Sequence, residues 1–158
     1  MVLCLFISST SWGQSTALDS QLPAWAQEKW QSISKKQSLE ISTRINPFVW
    51  RGDFDGDLRA DFAIFVSHTT TKKEGIAILF RNPRPPQVLG AGIPFGNGGD
   101  DFSWIHSWSV EDRGSLQRSF YEKPLRLKSD GLLVVKEESA SALIYFVEGK
   151  TKWQQQGD

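Results

Sequence analysis

Two continuous apolar runs constrain this chain more than any other feature. Phe62-Ala63-Ile64-Phe65-Val66 and Gly75-Ile76-Ala77-Ile78-Leu79-Phe80 show no alternation of polar and apolar residues. A strand with one wet face alternates, whereas a strand covered on both faces does not. The polar stretch 68–73 joins the two runs as a turn. Together they predict an antiparallel pair at the centre of a sheet, with other structure packed on each face.

A helix predicted over residues 23–35 supplies one cover. Leu22, Ala26, Trp30 and Ile33 recur at spacings that place them on a single helical face. Pro23 suits a first turn, where its missing N–H has no partner to lose. Lys35 and Lys36 put positive charge at the end where the helix dipole favours it. Periodicity assigns Trp25 and Trp30 to packing on a sheet rather than to ligand stacking.

The remaining segments read as strands and turns. Leu39-Glu40-Ile41-Ser42-Thr43-Arg44-Ile45 alternates, Asn46-Pro47 interrupts it, and Phe48-Val49-Trp50-Arg51 resumes an extended course. Asn82-Pro83-Arg84-Pro85-Pro86 is a loop, because proline cannot donate to a central ladder. Val88-Leu89 starts a further strand. The glycine-rich stretch 90–101 has neither the lysine of a P-loop nor the spacing of a dinucleotide fingerprint. Phe102-Ser103-Trp104-Ile105-His106-Ser107-Trp108-Ser109-Val110 reads as a strand with Phe102, Trp104, His106, Trp108 and Val110 on one face. Residues 125–127, 132–135, 142–147 and 151–155 follow, with Asp130-Gly131 and Glu148-Gly149-Lys150 as turns. The expected class is mainly β, or α+β with a minority helix. Its frame is an antiparallel meander of about seven to nine strands with the helix packed on it.

Formal net charge is zero, which removes the electrostatic ground for nucleic acid or an anionic membrane as partner. No run is long and apolar enough to span a bilayer as a helix. Met1-Val2-Leu3-Cys4-Leu5-Phe6-Ile7 followed by Ser8-Ser9-Thr10-Ser11-Trp12-Gly13 resembles the later part of a secretory signal, with Ser11 and Gly13 at the small positions before a cut at Gln14. A buried N-terminal strand is the alternative. The signal reading gives a leader over 1–13, a flexible segment over 14–21, one globular domain over 22–158, and a periplasmic or secreted location. It also leaves the mature chain without cysteine, since Cys4 is the only one, so no disulfide can contribute.

The chemically specific stretch is Asp53-Phe54-Asp55-Gly56-Asp57-Leu58-Arg59-Ala60-Asp61, which delivers the chain into the first apolar run. Carboxylates at alternating positions of a tight loop can converge on a hard cation, and a backbone carbonyl can add a further oxygen. The expected ligands are Asp53, Asp55, Asp57 and Asp61 through their side chains and Arg59 through its carbonyl. The expected ion is Ca²⁺. Without a cation, the alternative is an acidic turn satisfied by backbone N–H groups and by Arg51 or Arg59.

This stretch resembles the calcium loop of FG-GAP and VCBS-type repeats, whose pattern places acids or amides where Asp53, Asp55, Asp57 and Asp61 stand and a glycine where Gly56 stands. Gly98-Gly99-Asp100-Asp101-Phe102-Ser103-Trp104 and Glu138-Ser139-Ala140-Ser141-Ala142-Leu143-Ile144-Tyr145 resemble segments of small exported bacterial proteins with a single such loop. That resemblance implies no particular activity. Leu58 stands where the loop pattern has a glycine, so a positive φ there would cost about 1 kcal/mol. A propeller needs several blades and the chain carries one loop, so a full propeller is not expected.

Asp100, Asp101, Trp104, His106 and Trp108 make up the expected ligand surface. Asp100 and Asp101 are also the carboxylates a hydrolase of envelope sugars or peptides would use, although a turn leading into a strand explains them as well. There is no HExxH pair, nucleophile elbow or cysteine nucleophile. The leading expectation is an exported, non-enzymatic binding or interaction domain with a structural Ca²⁺ and a protein or envelope ligand. The alternatives are a carboxylate-dependent hydrolase and an inhibitor or immunity protein.

Overall fold

A computed structural model describes residues 22–119 and 122–157. The expected leader and flexible segment lie outside these residues. The described chain is mainly β with one helix, and it forms neither a closed barrel nor a propeller.

Helix α1 spans Ala24–Gln37 and is entered through Pro23. It ends at Ser38, which takes a left-handed conformation and donates its N–H to the Ser34 carbonyl. The strands in chain order are β1 Leu39–Ile41, β2 Val49–Gly52, β3 Asp61–His68, β4 Glu74–Leu79 and β5 Gln87–Gly90. There follow β6 Ser107–Glu111, β7 Leu116–Gln117, β8 Leu125–Arg126, β9 Gly131–Lys136, β10 Ala140–Val147 and β11 Lys150–Gly157.

The strands divide between two main sheets and a small hairpin of β7 and β8. In the first sheet β3 pairs with β4 and β4 with β5, all antiparallel. β1 and β2 lie end to end along the free side of β3, with Leu39 opposite His68 and Gly52 opposite Asp61. The second sheet runs β11-β10-β9-β6, and its last three strands in sequence form the expected meander.

The layers follow from the two apolar runs. Ala63, Phe65, Ile76 and Ile78 face the second sheet, where they meet Trp108, Leu132, Val134 and Ile144. The intervening Ile64, Val66, Ala77 and Leu79 face α1 and pack on Leu22, Ala26, Trp30 and Ile33. The order is therefore helix, sheet, sheet, with β3 and β4 buried on both faces as their composition requires. Burying the Trp30 side chain alone contributes on the order of 3 kcal/mol.

Two expected strands are shorter than their alternation suggested: the one expected over residues 39–45 ends at Ile41, and the one expected over residues 102–110 loses its first half. In the latter, strand pairing begins only at Ser107, and residues 102–105 form a turn. Asp101 accepts the backbone N–H and the hydroxyl of Ser103, and the Ile105 N–H donates to the Phe102 carbonyl. These local bonds compete with the ladder and curl the chain. Phe102, Trp104 and His106 consequently do not share a strand face with Trp108 and Val110.

Candidate metal centre

The acidic loop bridges the end of β2 and the start of β3, adjacent strands whose pairing fixes both ends of the loop. Asp61, the first residue of β3, is fully buried. Its two carboxylate oxygens accept the N–H groups of Phe54 at 3.0 Å and Arg81 at 2.8 Å. Burial pushes the carboxyl up to about 7, partly opposed by the Arg81 N–H, reinforced by the charge of Asp55, opposed again by the Phe54 N–H and reinforced weakly by Asp57. A group in this position takes up a proton or needs a cation nearby.

Asp53 caps the turn from the other side, accepting the N–H groups of Gly56 at 2.8 Å and Leu58 at 3.1 Å. Oxygens of Asp53, Asp55 and Asp61 lie within 4.8 Å of one another, a grouping that could hold a metal ion. All the donors are hard carboxylate oxygens, the chemistry that suits Ca²⁺ or Mg²⁺ rather than a soft metal. Ser129, whose Cβ would lie 3.5 Å from a Cβ on Gly56, has a buried hydroxyl with no hydrogen-bond partner among the described residues.

One of the expected carboxylates, Asp57, stands outside this group of side chains. Asp57 is exposed, and its carboxylate accepts the Arg59 N–H at 2.9 Å and the Asn82 side-chain amide at 3.1 Å. Asp57 thus shares the Asn82 amide with Asp55 without joining the three grouped carboxylates. Arg59 is exposed and contributes its N–H to that same turn.

Leu58 has φ of +67° and is 79% exposed, so the glycine-like conformation implied by the loop pattern is present with a leucine in it. The backbone strain is about 1 kcal/mol, and no burial of the side chain offsets it.

Five residues that support the loop carry no local sequence signal. The Asn82 amide donates to Asp55 as well as to Asp57, and Arg84 Nε lies 3.6 Å from Asp55 Oδ2. Lys29, reaching from α1, donates to the carbonyls of Phe80 at 2.5 Å, Asn82 at 2.6 Å and Arg84 at 2.7 Å. Burial lowers the Lys29 pKa, and the charges of Asp61 and Asp55 oppose that shift. Asp130, just before β9, accepts the Asp53 N–H, and Arg113 Nη1 lies 3.8 Å from Asp53 Oδ2. Among the described residues, the cations beside the aspartates are thus Arg84, Arg113 and Lys29, and neither Arg51 nor Arg59 forms an ion pair with them.

The expected ligand surface is dispersed. Trp108 is 5% exposed, packs against Phe65 at 5.7 Å between ring centroids and donates its indole N–H to the Pro47 carbonyl. It is a core residue. Asp100 pairs with Lys73 at 2.5 Å. Asp101 accepts the Glu74 N–H besides its bonds to Ser103. Partial burial would raise its carboxyl, but the N–H groups of Glu74 and Ser103, the Ser103 hydroxyl and Lys73 together hold it below the ordinary value. His106 is exposed and accepts the Glu137 N–H at Nδ1. Trp104 belongs to a different group, with Phe102 at 6.0 Å and Trp153 at 6.2 Å.

Comparison with family models, with curated proteins and with solved structures finds no match to this chain. The likeness to FG-GAP and VCBS-type loops therefore rests on the residues of the acidic loop alone.

Proposed function

We propose that this chain is an exported, non-enzymatic binding domain whose acidic loop takes up a Ca²⁺ ion as a structural clip. The observation that carries the reading is the fully buried Asp61 carboxylate grouped with Asp53 and Asp55. A divalent cation would stabilise three carboxylates that otherwise repel one another where Asp61 cannot be solvated. Bound there, the ion would fix the β2–β3 connection. Through Asn82, Asp130 and Lys29 it would also act on the second sheet and the helix. The ion's role on this reading is stability, and ligand binding falls to another surface.

Export is supported by the apolar segment before Gln14 and by the small residues Ser11 and Gly13 ahead of it. A hydrolytic reading through Asp100 or Asp101 finds less support. Both carboxylates are engaged, one by Lys73 and the other by backbone N–H groups and Ser103. The test of location is N-terminal sequencing of the chain recovered from the periplasm or medium of an expressing bacterium. A start at Gln14 supports export, and an intact N-terminus confined to the cytosol contradicts it.

A further inference from the structure

We propose that the mouth of the sandwich beside Trp104 and Trp153 is a binding site for one pyranose ring of an acidic glycan. This goes beyond the cation reading and does not depend on it. A groove of about 250 Å³ opens between the glycine-rich turn around residues 96–99 and the turn joining β9 to β10. That is the size of a single sugar ring with an open side for chain continuation.

Its apolar walls are fixed in advance. A Cβ on Gly96 would lie 2.4 Å from Trp153 Cγ, and one on Gly98 would lie 2.8 Å from Trp153 Cη2. Only bare backbone can therefore lie this close to the indole. Trp104 is held by its N–H, which donates to the Gly98 carbonyl at 3.0 Å, and by its edge-on contact with Trp153, 71° between ring planes. Gln155 accepts the Trp153 N–H at 3.3 Å. Rigid aromatic walls with settled polar atoms bind a ligand at little ordering cost.

The rim supplies the polar half. Asn97, Lys136 and Ser139 are exposed, and their side chains make no hydrogen bond or ion pair among the described residues. An amide and a hydroxyl both donate and accept, which matches the dual character of sugar hydroxyls, while the C–H face of a pyranose suits an indole. Lys136 lies opposite Ala140 on the core-side face of β9, two residues beyond the buried Val134. Glu137 and Glu138 follow in the same turn but do not line the groove, and Glu137 lies beside His106. Lys136 is therefore the one charged side chain among the described residues lining it, and its ammonium favours a ring that carries a carboxylate, such as a uronate. A nucleic acid would require more than one cation here.

The test is titration of the full chain with tri-galacturonate and with cellotriose, followed by tryptophan fluorescence and calorimetry. Each titration is run in chelator and again with Ca²⁺, so that a loop that binds no ion leaves this result interpretable. Saturable binding of tri-galacturonate in both conditions is expected, weakened about tenfold or more by Lys136→Glu and clearly reduced by Asn97→Ala. Both substitutions are at exposed positions, and an unchanged melting temperature certifies the fold. Failure of both sugars to bind the folded chain overturns the proposal, as does an affinity indifferent to Lys136→Glu. Equal affinity for cellotriose overturns the acidic preference.

Discussion

Asp53 and Asp130 hold each other by two reciprocal hydrogen bonds. The Asp53 N–H donates to Asp130 Oδ2 at 2.8 Å, and the Asp130 N–H donates to the Asp53 carbonyl at 2.8 Å. The first residue follows β2 and the second precedes β9, so the pair joins the two sheets at the acidic loop. Asp130 also accepts the Arg113 N–H at 2.9 Å. Asp130→Ala leaves two backbone donors without their partner and is expected to cost about 2 kcal/mol. Asp130→Asn keeps one acceptor and should cost less. Urea denaturation measures both, and equal stability of the alanine variant and the parent would remove this pair from the account.

Leu58→Gly should stabilise the protein. The residue sits at φ +67° with its side chain in solvent, so the substitution relieves backbone strain and loses no packing. The expected gain is about 0.5–1 kcal/mol after the added chain entropy of glycine is counted. A lower urea midpoint for the glycine variant would mean that Leu58 makes a contact this conformation does not contain.

Lys29→Met should destabilise by about 2–3 kcal/mol, because three carbonyls lose a charged donor at once. Lys35→Met, on the exposed side of the same helix, is the control and should stay within about 0.5 kcal/mol of the parent. Similar values for the two would show that the Lys29 ammonium is not holding the 80–84 loop.

The pH dependence follows from Asp61, whose carboxyl rises from an ordinary 3.8 to about 7. Between those values the folded chain holds a proton that the unfolded chain has released. Stability without a divalent ion therefore falls as pH rises through this window and levels off above about pH 7. Saturating Ca²⁺ favours the ionised carboxylate and should flatten the slope. Melting curves from about pH 5 to pH 8, in chelator and in Ca²⁺, compare the two. A melting temperature in chelator that rises across this range would contradict the assignment.

The central layers were legible in the sequence because their burial is complete. Ile64 and Phe65 are apolar on opposite faces, which only a covered strand tolerates, and Leu22, Ala26, Trp30 and Ile33 declare one helical face. The division into two sheets was not legible. Leu132 and Val134 read alike whether their strand extends the first sheet or lies opposite it. Trp108 and Trp104 alternate as neighbours on a strand would, yet the Asp101 turn sends one into the core and the other to the mouth of the sandwich. At the acidic loop the spacing disclosed Asp53, Asp55 and Asp61. It did not separate Asp57 from them, because the turn through Arg59 and the amide of Asn82 decides where that carboxylate points. Asn82, Lys29 and Asp130 reach the loop from three other elements, and only the tertiary fold brings them there.

The central claim is that the acidic loop is a Ca²⁺ clip. The most direct measurement is calorimetric titration of Ca²⁺ into chelator-stripped protein, paired with a thermal melt of the same samples. The account predicts a saturable heat for one ion per chain and a raised melting temperature, both lost in Asp55→Asn. No heat of binding and an identical melting temperature with and without Ca²⁺ would contradict it.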